Sequence, residues 1–189
     1  MGFFRVCLAS LASGLLAVTD MTTLAQGQSL EPVIIADADS EIQFVQPPRL
    51  IHSTTTEKTA DQLWSRYFFT IEVPPNAGAS LKQVDFALKL GVRFPRFSTR
   101  GTRIFTGRSK KGDRIPIESV MANRDLKTVA VTLERPVEPG ETVTVMLKTI
   151  KNPSAGTYQY EVRGHAPGSQ SRGQYIGLGR IEIRPRLRI

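Results

Sequence analysis

Hydrophobic and polar positions alternate with a period of two through most of the chain. Tyr67, Phe69, Ile71 and Val73 alternate with Phe68, Thr70 and Glu72, and Val84, Phe86, Leu88 and Leu90 alternate with Asp85, Ala87 and Lys89. Val129, Val131 and Leu133 oppose Thr128, Ala130 and Thr132, and Val143, Val145 and Leu147 oppose Thr142, Thr144 and Lys148. The pattern returns at Tyr158, Tyr160 and Val162, and again at Ile181 and Ile183. Successive side chains of a strand point to opposite faces, so each run predicts a strand with one buried and one wet face. Shorter candidates at 42–45, 103–105, 115–117 and 174–178 bring the number of strands to nine or ten. Helical spacing is confined to short stretches, of which 59–64 is the best.

Turn chemistry falls between these runs, at Pro74-Pro75-Asn76, Pro139-Gly140, Asn152-Pro153 and Pro167-Gly168. In the stretch 136–145, Pro136 is expected to end one strand, Pro139 to fix a turn, Gly140 to supply a positive φ, and Thr142 to open the next strand. Uneven strand lengths and long connections favour an all-β, antiparallel immunoglobulin-like β-sandwich over a closed barrel.

The N-terminus departs from this pattern. A short segment with Arg5 precedes an apolar run from Val6 to Val18, and a polar stretch ends in Thr23-Leu24-Ala25. This is the layout of an export signal, with cleavage expected after Ala25. The run is well short of the roughly 20 residues that span a bilayer. Cys7 is the one cysteine of the chain; it lacks the preceding small residue of a lipid-modified cysteine and leaves with the signal. The expected order is signal peptide 1–25, a mobile acidic lead-in 26–40, and one sandwich domain 41–189. The mature chain then has no membrane-spanning stretch, and its location is periplasmic, envelope-associated or secreted.

Short matches in order resemble a known family: Pro48-Arg49-Leu50, Tyr67-Phe68-Phe69-Thr70, Asn76-Ala77-Gly78, Phe105 with Gly107, Pro136-Val137 with Pro139-Gly140, Asn152-Pro153, Gly156 with Tyr158, and Gly173 to Arg180. The succession resembles the exported cyanobacterial family called domain of unknown function 2808, over about residues 48–183. The resemblance implies export in a photosynthetic bacterium and a compact β-rich domain. It brings no activity, ligand or catalytic residue. The end of the chain, residues 184–189, is more basic than the family pattern.

Composition adds a formal charge of +8 and a pI near 10.0 on 189 residues. The excess is concentrated: residues 89–114 hold nine basic residues against Asp113. Arg96, Arg100, Arg103, Arg108, Lys110, Lys111 and Arg114 are the anion-binding candidates, expected in loops flanking a short strand. Phe94 and Phe97 are candidates for an aromatic floor, and Arg180, Arg184, Arg186 and Arg188 for an extension of the groove. Guanidinium groups bind carboxylate, sulfate or phosphate in bidentate fashion. Export disfavours nucleic acid, the usual partner of such patches. An anionic envelope polysaccharide, a lipopolysaccharide phosphate or an acidic protein fits better.

Other motifs fail on their parts. Residues 107–112 have phosphate-loop spacing, but Asp113-Arg114 stands where the Lys and Ser/Thr must be. Gly177 and Gly179 precede a strand rather than a helix, so they suit close packing or a bulge. Asn152-Pro153-Ser154 has proline where glycosylation forbids it. Asp37, Asp39 and Glu41 lack the glycine and distal acid of a calcium loop. His52, beside the Thr-rich stretch 53–56 read as a loop, and His165 are too few for a metal site without a thiol. No serine is placed as a nucleophile, and Trp64, Tyr67 and Tyr175 suit core or rim rather than sugar stacking. No catalytic residue, metal ligand or cofactor is therefore assigned. The expected function is a non-catalytic binding or structural module of the cell envelope; an envelope glycan-acting enzyme and a periplasmic metal carrier are the alternatives.

Overall fold

The computed structural model describes residues 42–168 and 173–187. The signal, Cys7, the acidic lead-in, the 37–41 alternation, Ser169, Ser171 and Arg188 lie outside the described residues.

Ten strands form two antiparallel sheets. They are β1 (Arg49–Thr55), β2 (Arg66–Glu72), β3 (Leu81–Leu90), β4 (Arg96–Thr106), β5 (Arg114–Ile115), β6 (Ile117–Asn123), β7 (Thr128–Val137), β8 (Thr142–Lys151), β9 (Gly156–His165) and β10 (Gln174–Ile183). One sheet has the order β1-β2-β8-β4-β5 and the other β10-β9-β3-β7-β6. The protein is thus the all-β, immunoglobulin-like sandwich that the alternation predicts. No helix of the described residues is long and apolar enough to cross a membrane.

The inward positions of the alternating runs make the core. Tyr67, Phe69, Ile71, Val84, Phe86, Val131, Leu133, Val145, Leu147 and Tyr160 are fully buried. Aromatic rings knit the two sheets: Phe69 lies 4.7 Å from Phe86 and 5.8 Å from Tyr160, and Tyr67 lies 6.3 Å from Tyr160. On one side of the sandwich β1 and β10 are tied through Ser53, whose hydroxyl accepts from the Arg180 N–H at 3.0 Å and donates to the Arg180 carbonyl at 3.2 Å. Gly177 permits this approach, because a Cβ there would sit 2.6 Å from Leu50 Cβ of β1, and it flanks a register shift in β10, as a bulge reading requires; a Cβ at Gly179 would sit 2.6 Å from Phe69 Cε1 of β2.

Connections gather at two ends. The β3–β4 end carries residues 56–65, 91–95, 124–127, 152–155 and 184–187. The β4–β5 end carries residues 73–80, 107–113, 138–141 and 166–168.

Several local expectations are corrected. Pro136 does not end a strand; β7 runs on to Val137, and the proline sits where the β3–β7 register shifts, so no ladder donor is demanded of it. Residues 59–64 form no helix. They are held by bridges from Thr59 to Arg184 and from Leu63 to Lys151, with positive φ at Asp61 and Trp64. Residues 53–55 belong to β1 rather than to a loop, and 42–45 form no strand. Gly140 does supply the expected positive φ, at 89°.

Candidate functional site

The seven basic candidates lie along the whole of β4 and its hairpin to β5. Arg96 opens β4 at the β3–β4 end, Arg100 and Arg103 lie within the strand, Arg108, Lys110 and Lys111 occupy the hairpin turn at the opposite end, and Arg114 begins β5. An eleven-residue strand spans about 30 Å. The seven therefore do not form one patch, and their setting is a long strand rather than loops.

Three of them are brought together. Between Ser98 and Arg103 the register of β4 against β8 shifts, so residues 99–102 bulge from the sheet. The bulge and the β5–β6 corner line an open cleft of about 590 Å³, which holds Arg100, Arg103 and Arg114 with Thr99, Glu118 and Ser119. The sequence explains the bulge. Gly101 has no room for a side chain beside Lys148, and Thr102 turns inward and donates to the Ser98 carbonyl at 3.3 Å. One nitrogen of Arg103 donates to the carbonyls of Arg100 at 2.8 Å and Thr102 at 2.7 Å. Arg103 thus fixes the bulge as well as adding charge, and Arg100 and Arg114 are the exposed cations of the cleft. Of the hairpin cations, Arg108 stands 4.0 Å from Glu72.

A second cationic site lies at the β3–β4 end. A cleft of about 250 Å³ is lined by Arg93, Arg96, Arg124 and Lys151, with Asp61 and the Phe94 ring. Lys151 donates to Asp61 at 2.8 Å, and that bond holds the Asp61 carboxyl below the usual carboxylate range. Proline at 95 and at 153 stiffens two walls. Sequence order hides this grouping, since Arg93 and Arg124 come from separate connections and Lys151 from the end of β8. Phe94 lines this cleft, while Phe97 faces the core against Tyr67 and Phe94. An aromatic floor under one long β4 groove is therefore not present.

Arg180 does not extend the β4 cleft, and Arg186 acts instead on Asp61 of the second cleft. β10 is at the other edge of its sheet, where Arg180 pairs with Glu182 at 2.7 Å. Arg180 instead lines a polar cleft of about 390 Å³ between β1 and β10, with His52 and Ser53. His165 is in the other sheet, its Nε2 2.8 Å from Asp85 Oδ2. Among the described residues no three His, Cys, Asp or Glu side chains converge to hold a metal. Trp64 and Tyr175 are more than half exposed, whereas Tyr67 is fully buried.

Solved structures with a similar course of chain include BslA, a bacterial hydrophobin, with 19% identity, 76% of this chain and 98% of that chain covered, and a TM-score of 0.47. The N-terminal domain of the Streptococcus gordonii adhesin Sgo0707 has 12% identity, 76% and 34% coverage, and a TM-score of 0.47. The collagen-binding domain of a Staphylococcus aureus adhesin has 10% identity, 70% and 97% coverage, and a TM-score of 0.37. At these values the likenesses bear on neither ligand nor activity. No curated protein matches the chain. Residues 41–183 match the family described as Protein of unknown function (DUF2808), and the chain belongs to that family.

Proposed function

We propose that this protein is an exported, non-catalytic binding or structural module of the cell envelope whose cationic cleft takes an anionic glycan or an acidic protein partner. Export rests on the N-terminal pattern of a basic start, a short apolar run and small residues before Ala25. The observation that carries the binding reading is the cleft beside the β4 bulge, where Arg100 and Arg114 are exposed on a backbone that Arg103 locks. Carboxylate, sulfate and phosphate groups on a polymer all satisfy guanidinium donors of this kind. Among the described residues lining the cleft, Glu118 is the carboxylate, and it is ion-paired with Lys82 at 2.7 Å. This supports binding over glycoside cleavage, which uses a pair of carboxylates.

Retention on an immobilised acidic polysaccharide at low salt tests the reading. The double variant R100E/R114E is expected to elute with the void volume while keeping the thermal midpoint of the parent. R108E/K111E, which alters the distant hairpin turn, is expected to remain bound. Equal retention of the parent and R100E/R114E would remove the cleft from consideration.

A further inference from the structure

Half of the large apolar side chains left exposed among the described residues gather at the β3–β4 end: Leu63, Trp64, Leu90, Val92, Leu126 and Leu187. Three of these, from separate connections, are tied by the chain or by a backbone bridge to residues that line the second cationic cleft. Leu63 bridges to Lys151, Val92 precedes Arg93, and Leu126 follows Arg124 by two residues. Val92 is 79% exposed and Leu126 71%. These are exposed side chains on connections that also carry, or are bridged to, the basic residues of the cleft.

Trp64 adds an independent observation. Its φ is 60°, a conformation that costs a bulky residue free energy and that persists only where the surroundings impose it. Its backbone N–H donates to the Ile150 carbonyl at 3.1 Å, and Lys148 Nζ lies 4.6 Å from the ring centre. The strained backbone turns the indole outward, 53% exposed, rather than into the core.

Apolar tips interleaved with cations match the chemistry of an anionic bilayer surface. Apolar groups enter the boundary between headgroups and acyl chains, and basic side chains extend to the phosphates. A soluble polyanion would satisfy the cations and leave the apolar tips in water. We propose that the β3–β4 end docks on an anionic lipid bilayer, with Leu63, Val92 and Leu126 entering the interface and Arg93, Arg96 and Arg124 holding headgroup phosphates, while Lys151 stays paired with Asp61. The surface is separate from the β4 cleft, so either assignment can fail without the other.

The chain contains one tryptophan, so its emission reports on this end alone. The full chain is mixed with vesicles of phosphatidylcholine, with or without phosphatidylglycerol, and followed by emission and by co-sedimentation. Anionic vesicles are expected to blue-shift Trp64 and sediment the protein, and neutral vesicles to do neither. R93Q/R124Q is expected to weaken partitioning about tenfold or more. V92S/L126S is expected to weaken it several-fold, and R100E/R114E to bind as the parent does. The single variants R124Q and V92S replace any double variant that loses its fold. Sedimentation with an unshifted Trp64, or undiminished in both surface variants, would assign vesicle binding elsewhere, such as to the apolar run 6–18, and overturn the proposal. An equal shift with dextran sulfate alone would assign the surface to a soluble polymer, and a shift with protein concentration alone would assign it to a second copy.

Discussion

Asn152 ties three parts of the chain with one side chain. Its Oδ1 accepts from the buried Tyr67 hydroxyl at 3.1 Å, and its Nδ2 donates to the carbonyls of Glu57 at 2.9 Å and Thr59 at 3.0 Å. Asn152→Ala would strand these groups, and the expected loss is about 2–3 kcal/mol in urea unfolding. The adjacent core holds the opposite case. The Tyr160 hydroxyl is buried without a hydrogen-bond partner, and burial pushes that phenol well above its ordinary range. Tyr160→Phe should therefore be neutral or stabilising by up to about 1 kcal/mol in the same measurement; a clear loss would show that the hydroxyl is satisfied. The sequence marks Tyr160 as inward-facing and Asn152-Pro153 as a turn. It does not mark their polar partners, because Tyr67 is 85 positions from Asn152 and periodicity carries no information over such a span.

At the scale of elements, alternation identifies strands in proportion to how unequal their two faces are. β2, β7 and β9 were legible because each buries every second side chain. β1, β6 and the first half of β4 were not, since edge strands carry polar or exposed side chains on both faces. β6 reads as a strand only through its pairing with β7. The two glycines of β10 were legible in kind, since a strand with that spacing must pack closely or bulge. Gly179→Val should cost about 1–3 kcal/mol by driving a side chain against Phe69, with Gly179→Ala smaller and of the same sign. Thermal unfolding of the two variants checks the order.

For the whole molecule, linear concentration of charge proved a poor guide to its arrangement. Residues 89–114 are basic in sequence, but β4 draws them out over about 30 Å and divides them among its two ends and the bulge between them. Arg124 and Lys151 join Arg93 only through the crossing of connections, which no spacing rule reveals. The charge pairs give the fold a defined acid limit. Glu161 is held low first by the Arg163 hydrogen bond, with Lys89 3.5 Å away, and Asp61 by Lys151. A carboxyl depressed in the folded state contributes stability above its unfolded value and loses it as pH falls through the folded one. The urea midpoint should thus decline as pH falls below about 4, modestly, because Asp61 is exposed and Glu161 partly so; added salt should shrink the decline. The strand order has a further consequence, in time rather than space. β8 is the middle strand of one sheet and β9 separates β3 from β10 in the other, so both sheets lack an inner member until the last quarter of the chain exists. Pairings between such distant segments form slowly. Neither sheet can therefore be completed through most of the chain's synthesis, which favours a chain loose enough to be threaded across a membrane by the export route proposed for it.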